Sequence, residues 1–363
     1  MKASALQAST LKSSASRSLS ARSSRPRCFA GGAPFLRVAA ACAALTLLPV
    51  TSGMAAPFRD AANRTVELSG KVERIIPAGP PAQVLLYALA PEKLAGLVEA
   101  FPPAGRVFVP QAYRNLERIP RLSHTPKPED MEKLRQLKAD LVVDYGNTGP
   151  SYVAAINKAQ ADLGTPAILL DGSLAATPRN LRALGTLIGV PERGEKLAAA
   201  AQDVLDKLAP LAALPNEARP SVYLARGSDG LNAARPGTSL SEAITLAGGR
   251  NATPPGSGAF VRTTVEEVVA LAPDVVVFED QAALKSPLRA ALPAKTRVYV
   301  DEAAPFGSLE SPPSLNRLVG AAALAKILHP DRAPADPDYP AKIRETFFGP
   351  VPPGLTFTPL LTN

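Results

Sequence analysis

One stretch constrains this chain more than any other. Between Pro191 and Leu211, the residues Leu197, Ala201, Val204, Leu208 and Leu211 recur at steps of four, three, four and three. That spacing is a single apolar stripe on an α-helix. Pro191 suits a first helical position, and Glu192 and Glu195 suit the positive end of the dipole. Pro210 is expected to kink or end the helix. At about 1.5 Å per residue, such a helix is a rod roughly 30 Å long. On each side lies a half-chain of one layout: strand, helix, strand, helix, strand. A long helix between two α/β halves reads as a strut joining two lobes. The alternative is a surface helix inside one large domain.

An internal repeat favours the strut. Residues 131–143 (MEKLRQLKADLVV) match residues 265–277 (VEEVVALAPDVVV) at one constant offset, with Glu, Leu, Asp, Val and Val coinciding. Each copy reads as a helix, a tight turn carrying Asp, and a buried strand. The surrounding elements follow the same alternation. Strands are expected at 72–76, 93–98, 140–144, 167–171, 221–225, 275–278 and 297–300. Helices are expected at 82–89, 129–137, 152–163, 239–247, 264–271 and 315–328, after an opening hairpin over 58–68. Short strands alternating with medium helices are the pattern of parallel α/β sheets.

The chain has 363 residues, more than one typical domain and enough for two lobes plus extras. The layout divides it into a targeting segment (1–55), a first α/β lobe (56–175), a connector with the long helix (176–215), a second α/β lobe (216–332) and a Pro-rich tail (333–363) expected to be partly irregular. The formal charge of +8 misleads. Seven of the 40 basic residues, and no acidic ones, fall in the first 55 positions, leaving 33 basic against 32 acidic residues in the body. Nothing in that balance calls for nucleic acid.

The basic start precedes an apolar run from Val38 to Val50, too short to span a bilayer. Small residues follow, with Gly53 and Ala55 placed for cleavage after Ala55. This is the pattern of an export signal. Both cysteines, Cys28 and Cys42, lie inside it. The mature chain is therefore expected to be exported, without disulfide or cysteine-based metal site.

The chemistry of several enzyme classes is missing. There is no GxxxxGK[ST] loop, no GxGxxG after the first strand, no HExxH and no GxSxG elbow. Only His124 and His329 are present, and His329 sits before Pro330 at an expected helix end, where it suits a capping role. No cofactor and no metal site is expected. The residues favour a binder over an enzyme.

Six segments together resemble a known family, the periplasmic substrate-binding proteins of ABC importers for iron–siderophore complexes, haem and cobalamin. They are FRDAANRTVEL (58–68), VERIIPAGPPAQVLLYALAPEKLAGLV (72–98), the two repeat units, SLSEAITLAGGRNA (239–252) and FGSLESPPSLNRLVGAAALAKILHP (306–330). Ala139 stands where the family usually has Pro, and tryptophan is absent. The resemblance implies two Rossmann-like lobes with parallel-sheet cores, one long rigid connecting helix, and a ligand cleft between the lobes. It implies a monomer that captures an iron complex in the periplasm and delivers it to an ABC permease of the inner membrane. Haem, cobalamin or an oxoanion such as molybdate are alternative ligands. A secreted two-lobed transferase is the reading from another class.

Ligands of open parallel sheets gather at the C-terminal strand ends, here 77–80, 145–148, 226–230, 279–280 and 301–306. Arg226 follows strand 221–225 directly, and Arg262 follows the flexible stretch 256–260. Both are candidates to face an anion, because guanidinium forks suit carboxylate, catecholate or oxoanion oxygens. Tyr145 and His124 are the candidates from the first lobe, and Arg235 is a weaker one. The 5% aromatic content argues against a large flat ring ligand. In the family one glutamate on each lobe pairs with permease arginines, and the resemblance carries that role to Glu132 and Glu242.

Overall fold

The computed structural model describes residues 57–68, 70–122, 126–301, 303–309 and 311–362. Residues 1–56, which include the expected targeting segment and both cysteines, and the candidate His124 lie outside the described residues.

In chain order the first half contains β1 (Phe58–Arg59) and β2 (Thr65–Val66), β3 (Ile75–Pro77), α1 (Pro80–Leu89), α2 (Gln111–Arg114), α3 (Pro128–Gln136), β4 (Leu141–Gly146), α4 (Pro150–Leu163), β5 (Ala167–Asp171) and α5 (Thr177–Leu187). Next comes α6 (Pro191–Ala212). The second half contains β6 (Ser221–Ala225), β7 (Asn232–Ala234), α7 (Glu242–Leu246), β8 (Arg250–Asn251), β9 (Phe260–Arg262), α8 (Val265–Leu271), β10 (Val275–Phe278), α9 (Pro287–Ala291), β11 (Arg297–Asp301), α10 (Arg317–Leu328), α11 (Tyr339–Phe348) and β12 (Leu360–Thr362).

The first sheet runs β3-β4-β5, all parallel. The second runs β12-β11-β10-β6-β8, parallel except for β12, which adds antiparallel at the edge. Side chains alternate across each strand. Val222, Leu224, Val275 and Val277 enter the same core cluster as Leu141, Val143 and Ile168 of the first sheet. Tyr223, Ala225, Val276 and Phe278 enter a separate cluster with Val268 and Leu288 on the outer face. A single apolar core thus runs through both halves, with α1, α6, α10 and α11 inside it.

Helix α6 is where its sequence puts it. Leu197, Ala201, Val204, Leu208 and Leu211 are all buried, and the helix packs against α5, α7, α10 and α11. Pro210 does not stop it; the helix continues to Ala212. So near the end, a proline removes one hydrogen bond of the last turns. The Arg219 guanidinium then closes the terminus, donating to the Ala212 and Leu214 carbonyls at 2.6 and 2.7 Å. A tight glycine contact joins α5 to α6. A Cβ on Gly194 would lie 2.6 Å from the Leu181 carbonyl oxygen, and one on Gly185 would lie 2.9 Å from the Gly194 Cα.

The repeat holds to the level of single atoms. Lys138 and Ala272 occupy equivalent positions, and both take a left-handed conformation, with φ of 48° and 45°. The equivalent aspartates then do one job. Asp140 accepts from the Glu73 and Arg74 backbone N–H groups at 2.8 Å, just before β3. Asp274 accepts from the Ser221 N–H and hydroxyl at 2.7 Å, at the start of β6. In each half the turn aspartate anchors the next parallel strand.

Two expectations need correction, and a third gains detail. Residues 93–98 form no strand; Leu94 and Leu97 make isolated bridges to Ile75 and Arg118 after a 3-10 turn over Pro91–Lys93. The tail is partly irregular, as expected, but holds one helix and one edge strand. Helix α11 tolerates Pro340 in its first turn, where no N–H is needed, and buries Ile343 and Phe347. The stretch 239–247 is split, with a 3-10 turn over Ser239–Ser241 ahead of the short α7.

Candidate functional site

The two candidate arginines share one cross-strand row beside the end of β6. Beyond Ala225 the chain turns through Gly227 and Gly230, both left-handed (φ 78° and 73°), and returns as β7. A Cβ at Gly230 would lie 2.8 Å from the Phe278 ring, so the turn demands glycine there. Strand β7 pairs antiparallel with β9, setting Asn232 opposite Arg262 and Ala234 opposite Phe260. Arg226 itself bridges to Asn232. Arg226, Asn232 and Arg262 therefore form one cross-strand row, with the arginine Cα atoms roughly 10 Å apart at two strand spacings. Phe260, two residues before Arg262, shares its face.

A buried pair holds this platform from beneath. The Tyr223 hydroxyl lies 2.8 Å from the Thr263 hydroxyl and donates to the Gly230 carbonyl at 3.2 Å. Burial pushes the Tyr223 phenol up to about 12, so it stays a neutral donor.

The charges on the platform are organised in pairs. The Arg226 guanidinium stacks over the Phe260 ring at 4.5 Å from the centroid. Its Nε lies 3.4 Å from a carboxylate oxygen of Glu279, at the end of β10. The Ser311 hydroxyl donates to the other Glu279 oxygen. Arg262 makes a two-pronged contact with Asp229, including an Nη1 to Oδ1 bond of 3.0 Å. Hydrogen bonding to Arg262 holds the Asp229 carboxyl below its ordinary range, and the same bond raises Arg262. Phe260 is 46% exposed, so part of its ring stays open to solvent beside the Arg226 stack. Together these groups offer two forked cations and an aromatic surface at the C-terminal ends of a parallel sheet.

Arg235 stands apart from this row; it donates to the Pro254 carbonyl at 2.9 Å and its guanidinium packs against Gly256. Tyr145 does not face solvent. It is 1% exposed, on the inward face of β4 with Leu141 and Val143, and its hydroxyl lies 3.2 Å from the Thr177 hydroxyl. Burial raises its phenol. The neighbouring Asp144, which the sequence did not single out, is buried at the same strand end, and desolvation raises its carboxyl despite a 2.9 Å bond from the Tyr145 N–H. His329 caps α10 and its ring lies 3.0 Å from the Gly248 carbonyl. Among the described residues no group of three or more His, Cys, Asp or Glu side chains is arranged to hold a metal ion.

The two glutamates differ sharply. Glu132 is exposed on α3, paired with Arg135 at 3.2 Å. Glu242 is half-buried and bonded within the molecule. It accepts from the Leu174 N–H at 2.8 Å and from Arg317 at 3.1 Å. Arg317 is fully buried and also donates to the carbonyls of Ser314 (3.1 Å), Ser239 and Gly172 (2.5 Å). Gly172 and Leu174 follow β5, so this cluster ties the first sheet to α7 and α10 of the second half. Glu242 is a joint between halves, and its carboxylate is committed there.

No protein-family model matches the chain, and no curated protein matches it in sequence. Solved structures do match in fold. An ABC transporter solute-binding protein from Sulfurospirillum deleyianum is 24% identical, with a TM-score of 0.72 over 81% of this chain and 95% of that one. The molybdate periplasmic binding protein MolA of Haemophilus influenzae, solved with molybdate, is 18% identical with a TM-score of 0.64, over 82% and 99%. The periplasmic vitamin B12 binding protein of Vibrio cholerae is 22% identical with a TM-score of 0.53, over 76% and 98%. At these identities, what is shared is the fold. Among the described residues no helix is long and apolar enough to cross a membrane.

Proposed function

We propose that this chain is an exported solute-binding protein of an ABC importer, which holds an anionic metal chelate, foremost an iron complex, and delivers it to a membrane permease. The observation that carries the reading is the platform on which Arg226, Phe260 and Arg262 stand together at the strand ends of the second sheet. Guanidinium forks match carboxylate and catecholate oxygens, and an exposed ring adds apolar contact. The fold shared with binding proteins for molybdate and vitamin B12 supports the same class of role. In this reading the two sheets are the cores of two lobes, with α6 as the connector and the ligand between them. Tyr145 leaves the ligand set because it is buried and already bonded.

Permease docking is reassigned on one lobe. Glu132 keeps the role on the first. Glu242 loses it to Glu266, which occupies the position equivalent to Glu132 in the repeat and is exposed in the first turn of α8. Glu266 sits in a first turn, where the helix dipole favours a carboxylate, and Glu132 is exposed on α3, so both sites present an outward charge for encounter with a basic partner.

The test is a calorimetric titration of purified protein with ferric citrate, a ferric catecholate, haem, cobalamin and molybdate, with the solute recovered and assayed afterwards. Saturable one-to-one binding of the iron chelate, recovered unchanged, is expected. Preference for haem, cobalamin or molybdate would replace the iron complex as ligand. Consumption of the solute would favour a transferase and refute the proposal.

A further inference from the structure

Both platform arginines already have an acidic neighbour within the protein, and the two arrangements are built differently. Asp229 is held by its own turn, where its Oδ1 accepts from the Leu231 N–H at 3.1 Å, so it presents its carboxylate to Arg262. Glu279 is held by the Ser311 hydroxyl beside Arg226. The Arg262–Asp229 pair is open to water, with side chains 55% and 38% exposed. Arg226 and Glu279 are more enclosed, at 25% and 16%. An anion that engages these forks must compete with the resident carboxylates.

We infer that Asp229 and Glu279 are internal counter-ions that set the ligand specificity of the platform. They shield the two arginines from singly charged anions of the medium and yield to a solute carrying two or more acidic groups, which can replace both. This rests on the proposed solute-binding role and deepens it. The ligand class it names is a polyanionic chelate wide enough to address two guanidinium groups whose backbones lie about 10 Å apart. A compact oxoanion engages only one fork and gains less. The exchange is uneven in strength. Exposed pairs are weak, so removing the Asp229 charge is expected to tighten anion binding only about two- to fivefold. The enclosed Glu279 is a stronger competitor, and removing its charge is expected to tighten binding roughly tenfold.

Asp229→Asn and Glu279→Gln test this directly, because each keeps an oxygen to accept from Leu231 or Ser311 while losing the charge. Ferric citrate and molybdate are titrated calorimetrically into wild type, each variant and the double variant. Melting temperatures are recorded with and without phosphate as a probe that needs no cognate solute. The expected result is tighter ferric citrate binding in the order double variant, Glu279→Gln, Asp229→Asn, wild type, with a smaller gain for molybdate. Phosphate should raise the melting temperature of the double variant more than that of wild type. If the variants bind these anions no better than wild type, or more weakly, the carboxylates orient the arginines and the counter-ion role is overturned. Failure of the solute-binding reading would look different: the variants would gain anion affinity while wild type bound no member of the wider solute panel.

Discussion

Replacing Arg317 by methionine should loosen the joint between the two halves, and the structure gives a size for the effect. The arginine is fully buried on α10 and serves the Gly172, Ser239 and Ser314 carbonyls and the Glu242 carboxylate. Methionine keeps most of the apolar stem. Breaking a buried ion pair by removing one partner costs about 3–5 kcal/mol. Glu242 is one-third exposed and keeps the Leu174 N–H, which moderates that figure. The deserted carbonyls add about 1 kcal/mol each where water cannot reach them. A loss of about 4 kcal/mol follows, a large part of the roughly 5–15 kcal/mol that holds a typical domain folded. Urea denaturation followed by circular dichroism measures it as a lower midpoint. Glu242→Gln alone should cost less, and the double variant should fall short of additivity by about 1–2 kcal/mol, as directly bonded residues do. A loss below about 1 kcal/mol for Arg317→Met, or full additivity, would refute the assignment of this cluster as a joint.

Three further outcomes are expected. Burial raises the Asp301 carboxyl from 3.8 to about 6, against the donors Ser308 and Leu309. A carboxyl raised on folding stabilises fully below its unfolded value and loses that contribution as pH rises through the folded one. Wild type should therefore lose up to about 3 kcal/mol relative to Asp301→Asn between about pH 4 and 6.5, and a pH-independent difference in urea midpoints would count against it. Glu132→Ala with Glu266→Ala should leave solute affinity intact and slow uptake in cells carrying it as the sole copy, with the difference from wild type shrinking as salt screens the wild-type charges; uptake at the wild-type rate would remove both residues from docking. The continuous α6 and the core shared by both sheets should keep the radius of gyration nearly constant on ligand addition; a large drop in small-angle scattering would mean the halves hinge.

Much of the fold was legible because it is written in local periodicity. The α6 stripe predicts its five buried positions, and the repeat predicts two helix-turn-strand units with an aspartate in each turn; that each aspartate anchors the neighbouring strand emerges from the structure. Composition was a poorer guide than pattern: the proline-rich tail hid α11, whose Ile343 and Phe347 sit at helical spacing. The fate of Tyr145 was present in the sequence too, since strand alternation puts it on the face of Leu141 and Val143. The repeat likewise paired Glu132 with Glu266, whereas a resemblance over residues 239–252 pointed to Glu242. What no local pattern carries is long-range pairing. That Glu242 meets Arg317, or that Arg226 and Arg262 share one face with resident carboxylates, depends on strand register between segments far apart in sequence.

The central claim is that the solute is held by the arginine platform of the second sheet. It is tested most directly by calorimetric titration of wild type, Arg226→Ala and Arg262→Ala with the solute that saturates wild type one-to-one. Lost charge-assisted contacts of this kind are worth about 1.5–3 kcal/mol, so Arg226→Ala should weaken binding by roughly tenfold or more. Arg262→Ala should weaken it by a smaller factor, since its guanidinium is the more exposed, at 55% against 25% for Arg226. Unchanged affinity in both variants would place the ligand elsewhere on the molecule and contradict the account.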